Sequence, residues 1–320
     1  QSNSIFLRQK NCLNLGCGGC SKPLNDTYNN AYRRKDYPRT IQTLQTMLQA
    51  FNRLQLTKAD HEKYGEVLRA EKTNIYYNMA CCYALQNKKK EAIEAFQKAI
   101  ANGYTNYRHA LKDTDLSAIH NDKLFKQALA TIEQFDNLYI LRHAKPYCKE
   151  ATDSFPHFTY QQSDNNSLKQ IRTYFNLDSI AGNGDEVSKI LNLLRFVHNT
   201  ILHDGSHFGL CESSAVDIYN YYKTTGKGVN CRQLAIALNG MYLAMGFPSR
   251  YVTCMPKEDK DQDCHVINCV YSSQLGKWLW IDPTFNAYVK DENGNLLSIA
   301  EVRERLIANR PLYLNEDANW

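Results

Sequence analysis

Gly228-Val229-Asn230-Cys231-Arg232-Gln233-Leu234-Ala235 is the stretch on which the reading of this chain turns. A glycine-bearing loop delivers the chain to Cys231, and the apolar run that follows, to Met245, has helical spacing. Asn230 is placed to cap that helix, which would set the sulfur of Cys231 beside the first free backbone amides. Unpaired N–H groups and the helix dipole stabilise a thiolate, lowering its pKa and leaving more nucleophile at neutral pH. The same amides can stabilise negative charge on a substrate oxygen.

Working outward toward the C-terminus, Gly246-Phe247-Pro248 breaks the helix and the pattern turns to strands: Arg250 to Thr253, Cys264 to Tyr271 and Lys277 to Ile281. In the middle strand, period-two geometry puts His265, Ile267, Cys269 and Tyr271 on one face and Val266, Asn268 and Val270 on the other. Asp282 closes the third strand before Pro283. There it can accept a hydrogen bond from the imidazole and fix its tautomer, giving a nucleophile, a base and an orienting group in chain order. Each residue has a blander use: Cys231 as a small buried hydrophobe, His265 as a structural histidine, Asp282 as the start of an Asp-Pro turn. Zinc on His265 with Cys254, Cys264 or Cys269 is a further alternative, made awkward because Cys264 and His265 point to opposite strand faces. Trp278 and Trp280 share a face and read as core or pocket wall. His157, His198 and His207 carry no pattern.

Working outward toward the N-terminus, Ser213 to Tyr222 reads as a helix, and Val187, Ile190, Leu191, Leu194, Val197 and Ile201 as a strongly amphipathic one starting at Asp185. From Pro38 to about Phe135 the pattern is helical throughout. Pro146 and the polar run Gln161 to Ser167 mark a junction. Residues 1–36, rich in Asn, Gly and Lys, read as an irregular arm. The spacing Cys12-x4-Cys17-x2-Cys20 within it approaches that of zinc and iron–sulfur sites, but the next cysteines, Cys81 and Cys82, are far away, which favours disulfides or free thiols. The expected organisation is therefore an arm at 1–36, a helical domain at 37–148 and a second domain at 149–320.

Two resemblances sharpen this reading. Between Thr73 and Tyr104, the residues Tyr76, Met79, Ala80, Tyr83, Ala92, Phe96 and Ala99, with Gln86-Asn87-Lys88 as the turn, resemble a tetratricopeptide repeat, departing from it at Tyr104 where that pattern has proline. One repeat of this kind needs flanking helices to complete an array, which would be either a structural appendage or a peptide-binding surface. The run around Cys231, then Gly246-Phe247-Pro248-Ser249-Arg250-Tyr251-Val252, His265, and Trp278-x-Trp280-Ile281-Asp282-Pro283-Thr284 resembles the transglutaminase-like superfamily over about Ser179 to Leu314. The resemblance implies an α+β fold with a papain-like core, helices packed on an antiparallel sheet, and catalysis by Cys231, His265 and Asp282. Many relatives have Trp two residues after the histidine, whereas this chain has Ile267, so specificity does not carry over. The second oxyanion donor is not assignable from motif; His203, at the end of the long helix, is the candidate.

The bulk numbers set the outer limits. At 320 residues the chain has room for two cores. A net charge of +5, without a basic block interleaved with aromatics, argues against nucleic acid. No run approaches the roughly 20 apolar residues of a membrane span, and no signal peptide is visible, so localisation stays open, export to the periplasm or cell surface included. The eleven cysteines suit either an exported chain with disulfides and one free thiol or a reduced chain. The expected activity is acyl transfer on a peptide or side-chain amide, hydrolysis favoured over cross-linking, with no cofactor. Expected partners are a peptide or protein substrate, cell-wall peptide among them, and a protein bound by the helical repeats. The competing reading is an inactive module that binds a peptide or glycan.

Overall fold

The computed structural model describes residues 21–147, 159–162, 164–256 and 263–319. Cys12, Cys17, Cys20, Cys148 and His157 lie outside them. The chain divides into two compact units, 1–145 and 146–320, a boundary three residues before the expected one.

In the first unit the described residues are helical: α1 (Ser21–Arg33), α2 (Tyr37–Asn52), α3 (Lys58–Leu85), α4 (Lys89–Ala101), α5 (Tyr107–Lys112), α6 (Lys123–Ala130) and α7 (Asn137–His143). The reading of 1–36 as irregular fails over α1. Its polar composition hides an apolar stripe, Leu24, Tyr28 and Tyr32 at four-residue steps, which packs onto the core of this unit; burial of that face, more than propensity, makes the helix. The long helix α3 is continuous, started by a reciprocal cap between Thr57 and Asp60. Its partner α4 begins after the turn at residues 86–88, where Asn87 takes a left-handed φ of 59°. Ala80, Ala92 and Ala99 are fully enclosed between them, and Phe96 fills the space beyond, its ring 4.8 Å from that of Phe125.

The second unit opens with α8 (Asn166–Phe175), α9 (Leu177–Ala181), α10 (Glu186–Thr200), α11 (Ala215–Thr225) and α12 (Cys231–Ala244). It continues with β1 (Ser249–Cys254), β2 (His265–Ser272), β3 (Lys277–Asp282), β4 (Ala287–Lys290), α13 (Ile299–Ile307) and β5 (Tyr313–Leu314). The five strands form one antiparallel meander in chain order. The chain is thus α+β, as the resemblance implies.

Helix α12 is the axis of this core: Ala235, Ala237, Leu238, Met241 and Tyr242 are wholly buried. A helix enclosed on nearly every side needs its polar atoms matched, and the Tyr242 hydroxyl donates to the Ile190 carbonyl of α10 at 3.1 Å. Val270, Leu279 and Ile281 from the sheet pack into the same core. Asn268, fully buried on β2, donates through Nδ2 to the Ala235 carbonyl at 2.9 Å, pinning sheet to helix near the helix start. Among the described residues no helix is long and apolar enough to cross a membrane.

Candidate active site

Cys231 is the first residue of α12, half-buried, preceded by Asn230 in extended backbone with φ −76° and ψ 171°. The Asn230 side chain accepts from the Gln233 N–H at 3.1 Å, the cap expected from sequence. The loop ahead of it is held closely: Val229 N–H donates to the Leu202 carbonyl and Asp204 N–H to the Val229 carbonyl, each at 2.9 Å. A side chain at Gly228 would meet the Leu202 carbonyl oxygen and the Asp204 Cβ at 2.9 Å, so only glycine permits this approach. Beyond the cysteine, Gln233 accepts from the Gly209 N–H and donates to the Gly209 carbonyl, both at 2.8 Å, clamping a second loop to the first turn. Nothing in the sequence pattern marked that clamp.

The sheet supplies the other two groups. Antiparallel pairing sets Cys254 opposite His265 and Ile281 opposite Asn268, so the start of β2 and the end of β3 converge beside the start of α12. The His265 Nε2 lies 2.6 Å from Asp282 Oδ2. The Asp282 side chain is only 2% exposed, and its other oxygen accepts from the Thr284 N–H at 2.9 Å. With Nε2 so engaged, the second ring nitrogen of His265 is the one left to face Cys231, whose thiol pKa the ring lowers. The structure therefore gathers Cys231, His265 and Asp282 at the start of α12, with a hydrogen bond joining the last two.

Electrostatics follow from these contacts. The hydrogen bond from His265 pulls the Cys231 thiol below its usual pKa; burial opposes this, and the Val266 and Arg232 N–H groups reinforce it. Hydrogen bonds to Asp282 and then to Cys231 push His265 up to about 10. The sign is that of a group favoured when protonated in the fold: its stabilisation is complete below the unfolded value of 6.5 and is lost as pH rises through about 10. Titration of the His265 imidazole by NMR is accordingly expected to show a midpoint near 10; one near 6.5 would mean that the Asp282 bond does not form in solution.

Other readings settle residue by residue. Cys254, Cys264 and Cys269 are free thiols, as are Cys81, Cys82 and Cys211. No three His, Cys, Asp or Glu side chains gather as a metal site among the described residues. His198, patternless in sequence, ties α10 to the segment after Asp282, its Nδ1 lying 3.0 Å from the Pro283 carbonyl oxygen. His207 bonds the Tyr221 hydroxyl at 2.7 Å. Trp278 is half-buried under the Arg250 guanidinium, 4.8 Å from its ring centre. Phe285, overlooked in sequence, lies 5.6 Å from the His265 ring.

A thiolate beside an imidazole that a buried carboxylate orients is the arrangement that nucleophilic acyl transfer requires. Residues 175–283 match the transglutaminase-like superfamily. They form a transglutaminase-like domain. The matched stretch runs from the end of α8 to the residue after Asp282 and includes Cys231 and His265; β4, α13 and β5 follow it. It supports a cysteine enzyme of acyl-transfer or hydrolase type. A 64-residue stretch of the chain, 20% of it, is 33% identical to a curated chloroplast protein of Arabidopsis thaliana. That stretch spans 18% of the length of that relative. No solved structure matches the chain.

Proposed function

We propose that this protein is a cysteine-dependent amide hydrolase in which Cys231 is the nucleophile, His265 the acid and base, and Asp282 the group that orients and charges the imidazole. The observation that carries this reading is the 2.6 Å bond of the His265 ring to buried Asp282, together with the pull of that ring on the Cys231 thiol at the start of α12. In the first step the thiolate attacks the carbonyl carbon of a peptide or side-chain amide, forming a C–S bond. His265 then gives its proton to the leaving amine as the C–N bond breaks. Water, deprotonated by the now neutral His265, attacks the thioester: a C–O bond forms, the C–S bond breaks, and the carboxylic acid leaves the thiolate beside a protonated His265. Hydrolysis is favoured over cross-linking because water is always at hand, whereas cross-linking requires a second groove for an amine. The α3–α4 helix pair, with alanines at the close contact, supports a tetratricopeptide-like first unit that binds a peptide or protein.

Iodoacetamide reads the nucleophile directly. At pH 5.5–6, Cys231 is expected to be alkylated at least 10-fold faster than free cysteine, because its thiolate persists where an ordinary thiol is protonated. The preference should vanish in His265→Ala. Equal labelling of Cys231 and the exposed Cys254 would sink the proposal. Screening cell-wall peptides and unstructured proteins, with Cys231→Ala as the control, would then identify the substrate.

A further inference from the structure

Two cysteines stand at the mouth of the β1–β2 hairpin, Cys254 as the last residue of β1 and Cys264 as the residue before β2. Both are exposed free thiols, whereas Cys81, Cys82 and Cys269 are buried. The strand register sets how far apart they are. Cys254 is the Cα partner of His265, a separation of about 4.5–5.5 Å in an antiparallel pair. Cys264 is one residue along the chain from His265, its Cα about 3.8 Å away in a direction roughly across that pairing. The two cysteine Cα atoms are therefore about 6–7 Å apart, at the upper end of the roughly 4.4–6.8 Å that a disulfide spans. Cys264 is also among the groups that raise the pKa of the Cys254 thiol, after burial, Asp282 and Cys231.

The separation permits a bond that the side-chain directions resist. Residues directly opposite in an antiparallel pair share a sheet face, so Cys254 lies on the face of His265. Neighbours in an extended chain point to opposite faces, so Cys264 points away from both. Cysteines whose Cβ vectors diverge are bridged only by backbone movement. Cys254 is held in the β1–β2 ladder, and Cys264 lies outside it, so the segment that gives is the entry to β2. Turning Cys264 onto the face of Cys254 rotates the chain at 264–265, and the ring displaced by that rotation is His265, which bonds Asp282 Oδ2 at 2.6 Å.

We infer that Cys254 and Cys264 form a reversible disulfide that withdraws His265 from Asp282, making the mouth of this hairpin an oxidation site for small disulfides of the glutathione type. The Cys264 thiolate attacks one sulfur of the oxidant: a bond forms to Cys264, the oxidant's own S–S bond breaks, and one small thiol leaves with the electron pair and takes a proton. The Cys254 thiolate then attacks the Cys264 sulfur, and the second small thiol departs in the same way. Two protein thiols lose two electrons and two protons, and one small disulfide becomes two thiols. Cys254 reacts second because partial burial raises its thiol pKa. Neither the pairing nor its effect on His265 depends on the nucleophilic role proposed for Cys231, since both are read without turnover.

The test uses the full chain carrying Cys231→Ala, so that this thiol does not compete, incubated with oxidised glutathione. Trypsin cuts after Lys257 and Lys260, so the peptides bearing Cys254 and Cys264 stay together only through a disulfide. The linked peptides are expected as the main product in mass spectrometry, released by dithiothreitol and absent when Cys264→Ser is added. In the same oxidised sample the NMR midpoint of His265, raised in the reduced protein chiefly by Asp282, is expected to fall toward 6.5 and to return on reduction. Absence of linked peptides would overturn the pairing. A link that persists without Cys264 would also overturn it, by placing the bond on Cys269 of the same tryptic peptide. Linked peptides with an unchanged midpoint would overturn the withdrawal of His265. Iodoacetamide labelling of the reduced wild-type chain decides the role of Cys231 separately, so a failure of either idea is told from a failure of the other.

Discussion

Asp282→Asn is expected to lower turnover by roughly 10³–10⁴-fold while leaving the fold in place, the scale that removing the charge from such an orienting carboxylate produces. The side chain is 2% exposed and holds two groups: the His265 Nε2 at 2.6 Å and the Thr284 N–H at 2.9 Å. Asparagine is nearly isosteric and can still accept from Thr284. It cannot supply the negative charge that, through the hydrogen bond, pushes His265 up to about 10. The imidazole then titrates near its ordinary value, its proton is absent at pH 8, and Cys231 loses the hydrogen bond that most lowers its own pKa. Three readouts must move together: slower alkylation at pH 8, a lower His265 NMR midpoint and slower turnover, with an unchanged far-UV CD spectrum. An Asp282→Asn protein that alkylates at the wild-type rate would show that the carboxylate is only a turn former.

Phe96→Ala is expected to cost the first unit about 3–5 kcal/mol, the range for emptying a buried aromatic site. Phe96 on α4 is fully enclosed, its ring 4.8 Å from Phe125, 5.9 Å from Tyr104 and 6.3 Å from Tyr77. Four aromatic rings from four parts of the chain meet there, so the vacated volume cannot be refilled by one neighbour. Urea unfolding followed by CD should show the loss at unchanged slope, and the melting temperature should fall by on the order of 10 °C. Phe96→Leu, which keeps most of the volume, should lose far less. A cost under about 1 kcal/mol for the alanine variant would contradict the enclosed packing of α3, α4 and α6.

Much of this molecule was legible one residue at a time. Asn230 before an apolar helical run gave the start of α12 and the exposed end at which Cys231 sits, because capping depends on local backbone and one side chain. Strand alternation placed β1, β2 and β3 to within a residue or two. The helix pair around residues 86–88 was readable because alanines and aromatics recur at contact spacing. Helix α1 was misread for the opposite reason: its polar residues outnumber its apolar stripe, and only a neighbouring surface makes that stripe count. The short strands β4 and β5 left no sustained alternation to read, being 4 and 2 residues long.

The sequence by itself determined the helix start under Cys231, the order of strands behind it, and three residue types whose chemistry is complementary. Tertiary structure alone decided that they meet, since a hydrogen bond of 2.6 Å between residues 17 apart depends on the pairing register of β2 and β3. It also decided where Gln233 directs its amide, through a clamp on both backbone groups of Gly209. Local propensity acts over a few neighbouring residues, whereas a site is fixed by packing among segments far apart in the chain. Pattern could name the parts, and burial of α12 against the sheet assembled them.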